Sequence, residues 1–315
     1  MSTTTARIAM LPDRGVVSVT GEDAAKLLQG VVTNDMAAFE AGAHAIHAGL
    51  LTPQGKILHE FLVARRSGGG GFLVETARER AADLAKRLGL YKLRAKAEIR
   101  DVSSDYTVAV RWDTAAAIDA AADGWRPPAT DKDCAAAVEC FADPRHPGLG
   151  VRLVLSIATD WVLGRTGAVA ASADDYHAHR VALGVPEGGR DYALGDTFPH
   201  EADFDLYRGV SFTKGCFVGQ EVVARMQHKS VVRKRVVPVA GHGLAPGAEV
   251  RFGEVVIGTV GTVAGDKGLA LLRLDRAAEA LDGGTPLMAG GVPVEVDAGA
   301  MARYRASVAE KAAAP

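Results

Sequence analysis

The chemistry in this chain concentrates around one cysteine. Lys214-Gly215-Cys216-Phe217-Val218-Gly219-Gln220-Glu221 sets a thiol between two glycines, with a lysine two residues before it. Glycine lets a backbone turn sharply or approach a ligand closely. Gln220 to Met226 has a helix-favouring composition, which predicts Cys216 just ahead of a helix N-terminus. The positive end of a helix dipole and the Lys214 ammonium both favour the thiolate, the nucleophilic and metal-binding form. A cysteine is also a small hydrophobe suited to a core, and the residue types alone leave both roles open. For Cys134 and Cys140, in alanine-rich surroundings, the packing role is expected.

A second cluster lies upstream. Pro199-His200-Glu201-Ala202-Asp203-Phe204-Asp205 places three carboxylates within five residues. Such groups can exchange protons, or grip the ring edge of a cyclic amidine through paired hydrogen bonds. An exposed acidic surface is the plainer alternative. Downstream come Arg225, His228-Lys229 and Arg233-Lys234-Arg235, which could hold an anion or serve as a solvated linker. The histidines do not build a metal site. His44 and His47 would point to opposite faces of a strand, and His177 and His179 diverge on a helix. Neither GxGxxG after a strand nor GxxxxGK[ST] occurs, which disfavours a Rossmann or P-loop enzyme.

Elements that would position these residues follow from the hydrophobic pattern. Strands are predicted at Gly15–Thr20, Ala45–Leu51, Ile57–Val63, Phe72–Glu75, Ala97–Val102, Tyr106–Arg111 and Val151–Ile157. Helices are predicted at Glu22–Gln29, after a Thr76/Glu79 capping box, and at Asp174–Leu183, stopped by Gly184. Thr52-Pro53-Gln54-Gly55 joins two strands as a turn. The alanine-rich stretch 114–143 reads as a helix followed by a loop. After Arg235, short β segments between Gly- and Pro-containing turns predict a small barrel, and the final residues are expected to fray. The expected division is 1–235 and 236–315.

Bulk properties set outer limits. The chain has 315 residues, enough for two or three domains, and a formal net charge of −2 that argues against a generally nucleic-acid-coating surface. Its 3 cysteines include no CxxC pair, so no disulfide framework is expected and a reducing compartment fits. One copy also lacks the four thiolates of an all-cysteine cluster. The first residues lack a signal peptide's apolar core, and no apolar run approaches ~18 residues. A soluble cytoplasmic protein with no membrane partner is the expectation.

The octapeptide at 214–221 matches K-G-C-[YF]-x-G-Q-E, the signature of the YgfZ-type folate-binding proteins. These are relatives of the glycine cleavage T-protein, an aminomethyltransferase. Leu27–Asp35 resembles their L-Q-G-x-x-T-N-D block, and Leu51–Ile57 their L-T-P-Q-G-K-I hairpin. Arg180–Glu187 and Pro199–Asp205 resemble R-x-x-x-G-x-P-E and P-x-E-A-x-x-D. The resemblance implies an α+β fold: a T-protein-like ring of two interlocked α/β folate-binding subdomains plus a C-terminal β-barrel. It implies tetrahydrofolate or a derivative as ligand, with Glu201 at the pterin ring. Cys216 is then the functional thiol beside Lys214, and Asn34, Asp35, Gln220, Glu221 and Arg225 complete the candidate ligand-binding set.

T-proteins carry an acidic pair soon after the hairpin glycine, where this chain reads Leu58-His59-Glu60. Glu60 would substitute only after a one-residue register slip, which changes its face. The resemblance therefore implies a folate-binding factor for maturation or repair of iron–sulfur proteins. Its partners would be the assembly machinery and four-iron clients, with nucleic acid not expected. Folate-dependent aminomethyl or one-carbon transfer is the alternative.

Overall fold

The computed structural model describes residues 6–112, 137–157, 168–229 and 231–313. Two compact units interleave along the chain. The first comprises Met1–Leu51, Leu58–Tyr176 and Tyr207–Val218; the second comprises Thr52–Ile57, His177–Leu206 and Gly219–Pro315.

In the first unit the order is β1 (Arg7–Met10), β2 (Arg14–Thr20), α1 (Ala24–Val31), β3 (Ala45–Leu51), β4 (Ile57–Arg65), β5 (Gly71–Ala77) and α2 (Arg78–Lys92). There follow β6 (Glu98–Asp101), β7 (Tyr106–Trp112), β8 (Glu139–Ala142), β9 (Val151–Ser156) and β10 (Val169–Ala170). They build two five-stranded sheets, ordered β3-β4-β5-β2-β6 and β10-β1-β7-β9-β8. The first sheet packs Val17, Val19, Phe61, Val63 and Val74 against Leu28 and Val31 of α1 and Leu84 and Leu88 of α2. Those leucines recur at helical spacing, so each helix buries one face and wets the other.

A chain of buried charges runs between the two sheets. Glu75 on β5 accepts from Arg14 of β2 at 2.9 Å and from Arg152 of β9 at 3.0 Å. Arg152 also reaches Asp143 at 3.1 Å, and Arg145 grips the same carboxylate with two bonds of 3.0 and 2.8 Å. The paired guanidinium groups hold Asp143 ionised, far below the usual carboxylate range, against the opposing cost of burial.

The second unit receives the chain through α3 (Ala173–Ala182). It contains α4 (Gln220–Lys229), β11 (Lys234–Ala240), β12 (Glu249–Phe252), β13 (Val255–Ala264), β14 (Lys267–Arg273), α5 (Leu274–Asp282), β15 (Leu287–Ala289), β16 (Val292–Val296) and α6 (Ala298–Ala313). The six strands close into a barrel ordered β11-β14-β13-β12-β15-β16. Its core joins Val237, Val250, Val260 and Leu272 to Leu274 and Ala277 of α5 and Met301 of α6.

Several local expectations change. No capping box forms at Thr76 and Glu79: Thr76 remains in β5, and its hydroxyl donates to the Glu60 carbonyl at 2.9 Å. Strand pairing outcompetes the cap because it satisfies more backbone groups. Most of the alanine-rich stretch lies outside the described residues, but its end, read as loop, pairs with β9 as β8. The fraying tail is helical to Ala313. Cys140 is disulfide-bonded, against the expectation of packed free thiols, and Cys134 lies outside the described residues. Cysteine density is a statement about the whole chain, whereas pairing is decided by local approach.

Candidate functional site

The thiol of Cys216 is free and exposed to solvent. It sits in a loop of the first unit, and α4 begins only at Gln220, four residues later. A helix dipole acts within its first turn. The expected thiolate stabilisation from that source therefore has no support in the position of Cys216.

Lys214 also does something other than expected. Its ammonium donates to three main-chain carbonyls: Gln29 at 2.8 Å, Val32 at 2.7 Å and Asn34 at 2.9 Å. An ammonium has three protons, so all are committed. Burial lowers its pKa to about 8, with Asp35 acting in the opposite direction. The side chain lies beneath the Phe217 ring, 5.2 Å from its centroid. Lys214 fastens the cysteine loop to the turn after α1.

That turn is the L-Q-G-x-x-T-N-D block. Thr33 is fully buried; its hydroxyl donates to the Gly209 carbonyl at 2.5 Å and accepts from the Gly49 amide at 2.8 Å. Asn34 donates to the carbonyls of His47 at 2.8 Å and Arg208 at 2.7 Å, and its own oxygen accepts from the Asp35 amide. Asp35 accepts from Gln29 at 3.1 Å and from the Ala37 amide at 2.9 Å, capping the short helix Met36–Phe39. Asn34 and Asp35, expected to touch ligand, spend these groups on the chain itself. The structure does bring them together with Lys214.

Glu60 lies on β4 with its carboxylate 3.0 Å from His47 and 3.9 Å from Arg145. His59, on the opposite face, meets Asp83 at 3.0 Å. Burial, helped by Arg80, lowers the His59 pKa to about 4.

Glu201 belongs to the second unit and is half-buried. One carboxylate oxygen accepts from the Phe198 amide at 3.0 Å. Burial raises its pKa; Lys234 and Lys56 act against that rise. The hairpin turn Thr52–Ile57 is held next to it, since Ile57 donates to Thr197 at 2.8 Å and Lys56 pairs with Asp196 at 2.5 Å. Lys56 also lies over the Phe198 ring at 5.6 Å. A carboxylate with acceptor capacity left over fits the N–H-bearing edge of a flat heterocycle.

The other two acids of that cluster are committed elsewhere. Arg235 binds Asp203 at 2.7 Å and grips Asp205 through bonds of 2.9 and 2.6 Å. Asp203 has φ +58°, and burial pushes its pKa up to about 7 with Asp205 adding to the rise. These groups line a cleft of about 330 Å³ with Met226, Arg303 and Tyr304, and Glu201 is not part of its wall. Gln220 opens α4, while Glu221 and Arg225 pair with each other at 3.4 Å on its exposed face. Sequence reasoning missed Thr33 and His47. Thr33 was within reach as part of the 27–35 block, whereas nothing local marks His47.

Two five-stranded sheets and a closed C-terminal barrel give this chain a fold like that of the glycine cleavage aminomethyltransferases. The aminomethyltransferase T of Bartonella henselae superposes with a TM-score of 0.72 at 16% identity, covering 94% of this chain and 86% of that one. Residues 233–303 match the CAF17 C-terminal beta-barrel domain. The chain is 34% identical to the human iron–sulfur cluster assembly factor IBA57 over 281 residues, 83% of this chain and 76% of that one. It is 34% identical to the IBA57 homologue of Mycosarcoma maydis over 263 residues, spanning 79% of this chain but 61% of that protein. In the Neurospora crassa homologue it spans 53% of the length, at 33% identity.

This chain belongs to the IBA57 family of iron–sulfur cluster assembly factors. The likeness to the T-protein thus holds at the level of fold, and the family name that emerges is IBA57 rather than YgfZ. All three relatives are named as mitochondrial, which overturns the expectation of a cytoplasmic protein. That expectation rested on missing sorting signals, and an absent signal carries little information.

Proposed function

We propose that the chain is an assembly factor for iron–sulfur proteins, with Cys216 as its working thiol and tetrahydrofolate as its ligand. The observation that carries this reading is the free, exposed sulfur on a loop whose flanks are hydrogen-bonded to the turn after α1. A structural cysteine gains by burial, and this one is left in solvent. Held there, it can ligate iron, with the assembly machinery and four-iron proteins as its partners.

Glu201 would hold the N–H-bearing edge of the pterin, with Phe198 and the Lys56 turn beside it. Bound folate would supply a one-carbon carrier or a redox-active ring. Glu60, the acid nearest the place of the T-protein pair, is engaged by His47, which argues against aminomethyl transfer.

Replacing Cys216→Ala in a strain deleted for the gene tests the thiol. Loss of four-iron enzyme activity is expected, and full restoration by the variant rejects the assignment. Calorimetric titration with tetrahydrofolate tests the ligand; Glu201→Gln should weaken binding roughly tenfold or more, given the cost of losing a charged acceptor. Unchanged affinity would remove Glu201 from the site. Sustained methylene-tetrahydrofolate formation would move the chain to the one-carbon transferases.

A further inference from the structure

We propose that the end of α2 is a docking surface for an anionic phospholipid bilayer, with Leu90, Tyr91 and Leu93 entering the headgroup region between flanking cations. The proposal is independent of cluster assembly and of folate.

α2 buries Ala81, Leu84 and Leu88 in the core of the first unit. The apolar residues that follow have no such cover. Leu90 is 69% exposed, Tyr91 37% and Leu93 89%. Singly exposed leucines are common on protein surfaces and need no explanation, but these three fall within four positions at one helix end and form a patch.

Leu93 is the sharper observation. It directly follows the last residue of α2 with φ +45°, a left-handed backbone that a residue with a Cβ adopts only at a cost. Helices commonly end on a glycine with such a φ, which bears no cost. Here a leucine takes the place, and in its exposed setting it recovers almost nothing from packing. Backbone strain and bare apolar surface are both unfavourable for the fold alone, so what they serve lies outside it.

The neighbouring charges indicate what lies there. From position 86 to 96 the chain carries Lys86, Arg87, Lys92, Arg94 and Lys96 and no acid, in a protein whose formal net charge is −2. Arg87 pairs with Asp83 at 2.8 Å and Lys96 with Glu22 at 2.9 Å. Lys86, Lys92 and Arg94 have no acidic partner among the described residues. Unpaired cations beside apolar side chains complement a surface that is negative outside and apolar beneath. Tyrosine suits that boundary, with its ring in the apolar layer and its hydroxyl in water.

A protein occupant fits less well. A stable protein interface takes about 800 Å² from each partner, and three side chains at a helix end fall well short of that. A second copy of this chain would bring the same cations face to face. No helix among the described residues is long and apolar enough to cross a membrane, so the contact is peripheral.

Co-sedimentation of the purified full chain with vesicles of equal parts phosphatidylcholine and phosphatidylglycerol tests this. Partition should be roughly tenfold stronger than onto phosphatidylcholine alone. It should weaken as salt rises to about 1 M, where the screening length falls to about 3 Å. Lys92→Glu combined with Arg94→Glu should remove the preference for anionic vesicles. Leu93→Gly should weaken partition by roughly three- to tenfold without lowering the urea midpoint, because glycine adopts φ +45° freely. No partition onto the anionic vesicles overturns the proposal and leaves the patch to a protein partner. A lowered midpoint for Leu93→Gly overturns it too, since the leucine would then support the fold. Equal partition of the wild type and both variants would place the contact elsewhere on the chain and count equally against it. None of these readouts involves cluster delivery or folate.

Discussion

At residue scale, Lys214 has a part in the structure that its place in the chain does not reveal. Proximity in the chain suggested an electrostatic neighbour for the thiol; the ammonium instead satisfies three carbonyls. Lys214→Met should therefore act on stability before it acts on chemistry. Three buried acceptors lose their donor, at about 1–3 kcal/mol for an unsatisfied group, and urea denaturation would register the loss. An unchanged midpoint would mean that water replaces the ammonium at no cost.

Asp203 makes a second residue-scale prediction. Its folded pKa, about 7, lies above the ordinary aspartate value of 3.8. Between those two values the folded state binds the extra proton, so this contribution to stability is complete below the lower value and is lost as pH rises through the higher. Asp203→Asn, which keeps an acceptor for Arg235, should flatten melting temperature across that window. His59 works with the opposite sign. Its folded pKa of about 4 lies below the ordinary histidine value of 6.5, so stability is lost as pH falls through that range. His59→Gln should remove this part of the acid sensitivity.

At element scale, the turn Thr52–Ile57 carries weight beyond joining β3 to β4. Gly55 has φ +83°, and an added Cβ would meet the Val222 Cβ at 2.9 Å. Gly55→Ala should cost about 1–2 kcal/mol from the backbone alone, and tetrahydrofolate affinity should fall with it if the turn supports Glu201. The turn itself was legible in the residues, because Pro-Gln-Gly has few other conformations. The strands were legible too, since alternation shows wherever one sheet face is wet. β1, β8, β10 and β15 were not, having two to four residues each and too few alternations to register. α5 and α6 escaped because barrel-like turns dominate the composition around them.

At the scale of the molecule, the buried charges between the two sheets of the first unit join segments far apart in the chain. Arg152 is the hub, with Glu75 at 3.0 Å, Asp143 at 3.1 Å and the Tyr176 hydroxyl at 2.7 Å. Arg152→Met would take one cation from each of two buried carboxylates, which keep Arg14 and Arg145, so the cost should stay below the about 3–5 kcal/mol of a buried pair that loses its partner outright. Calorimetry should show a lowered transition for the first unit while the barrel, which shares none of these pairs, melts as before. A uniform shift of the whole profile would contradict that.

What the residues determined by themselves was local and patterned: most of the strands, the terminal barrel, and the cysteine motif between its glycines, whereas the fold class came from the resemblance. Periodicity and turn chemistry act over a few residues, so they survive in a linear string. The partners of each motif were a tertiary matter. Lys214 meets Asn34 at a sequence separation of 180, His47 meets Tyr207 at 160, and Arg152 meets Glu75 at 77. Hydrogen bonds of that separation leave no periodic trace, because each needs only one donor and one acceptor brought together by packing.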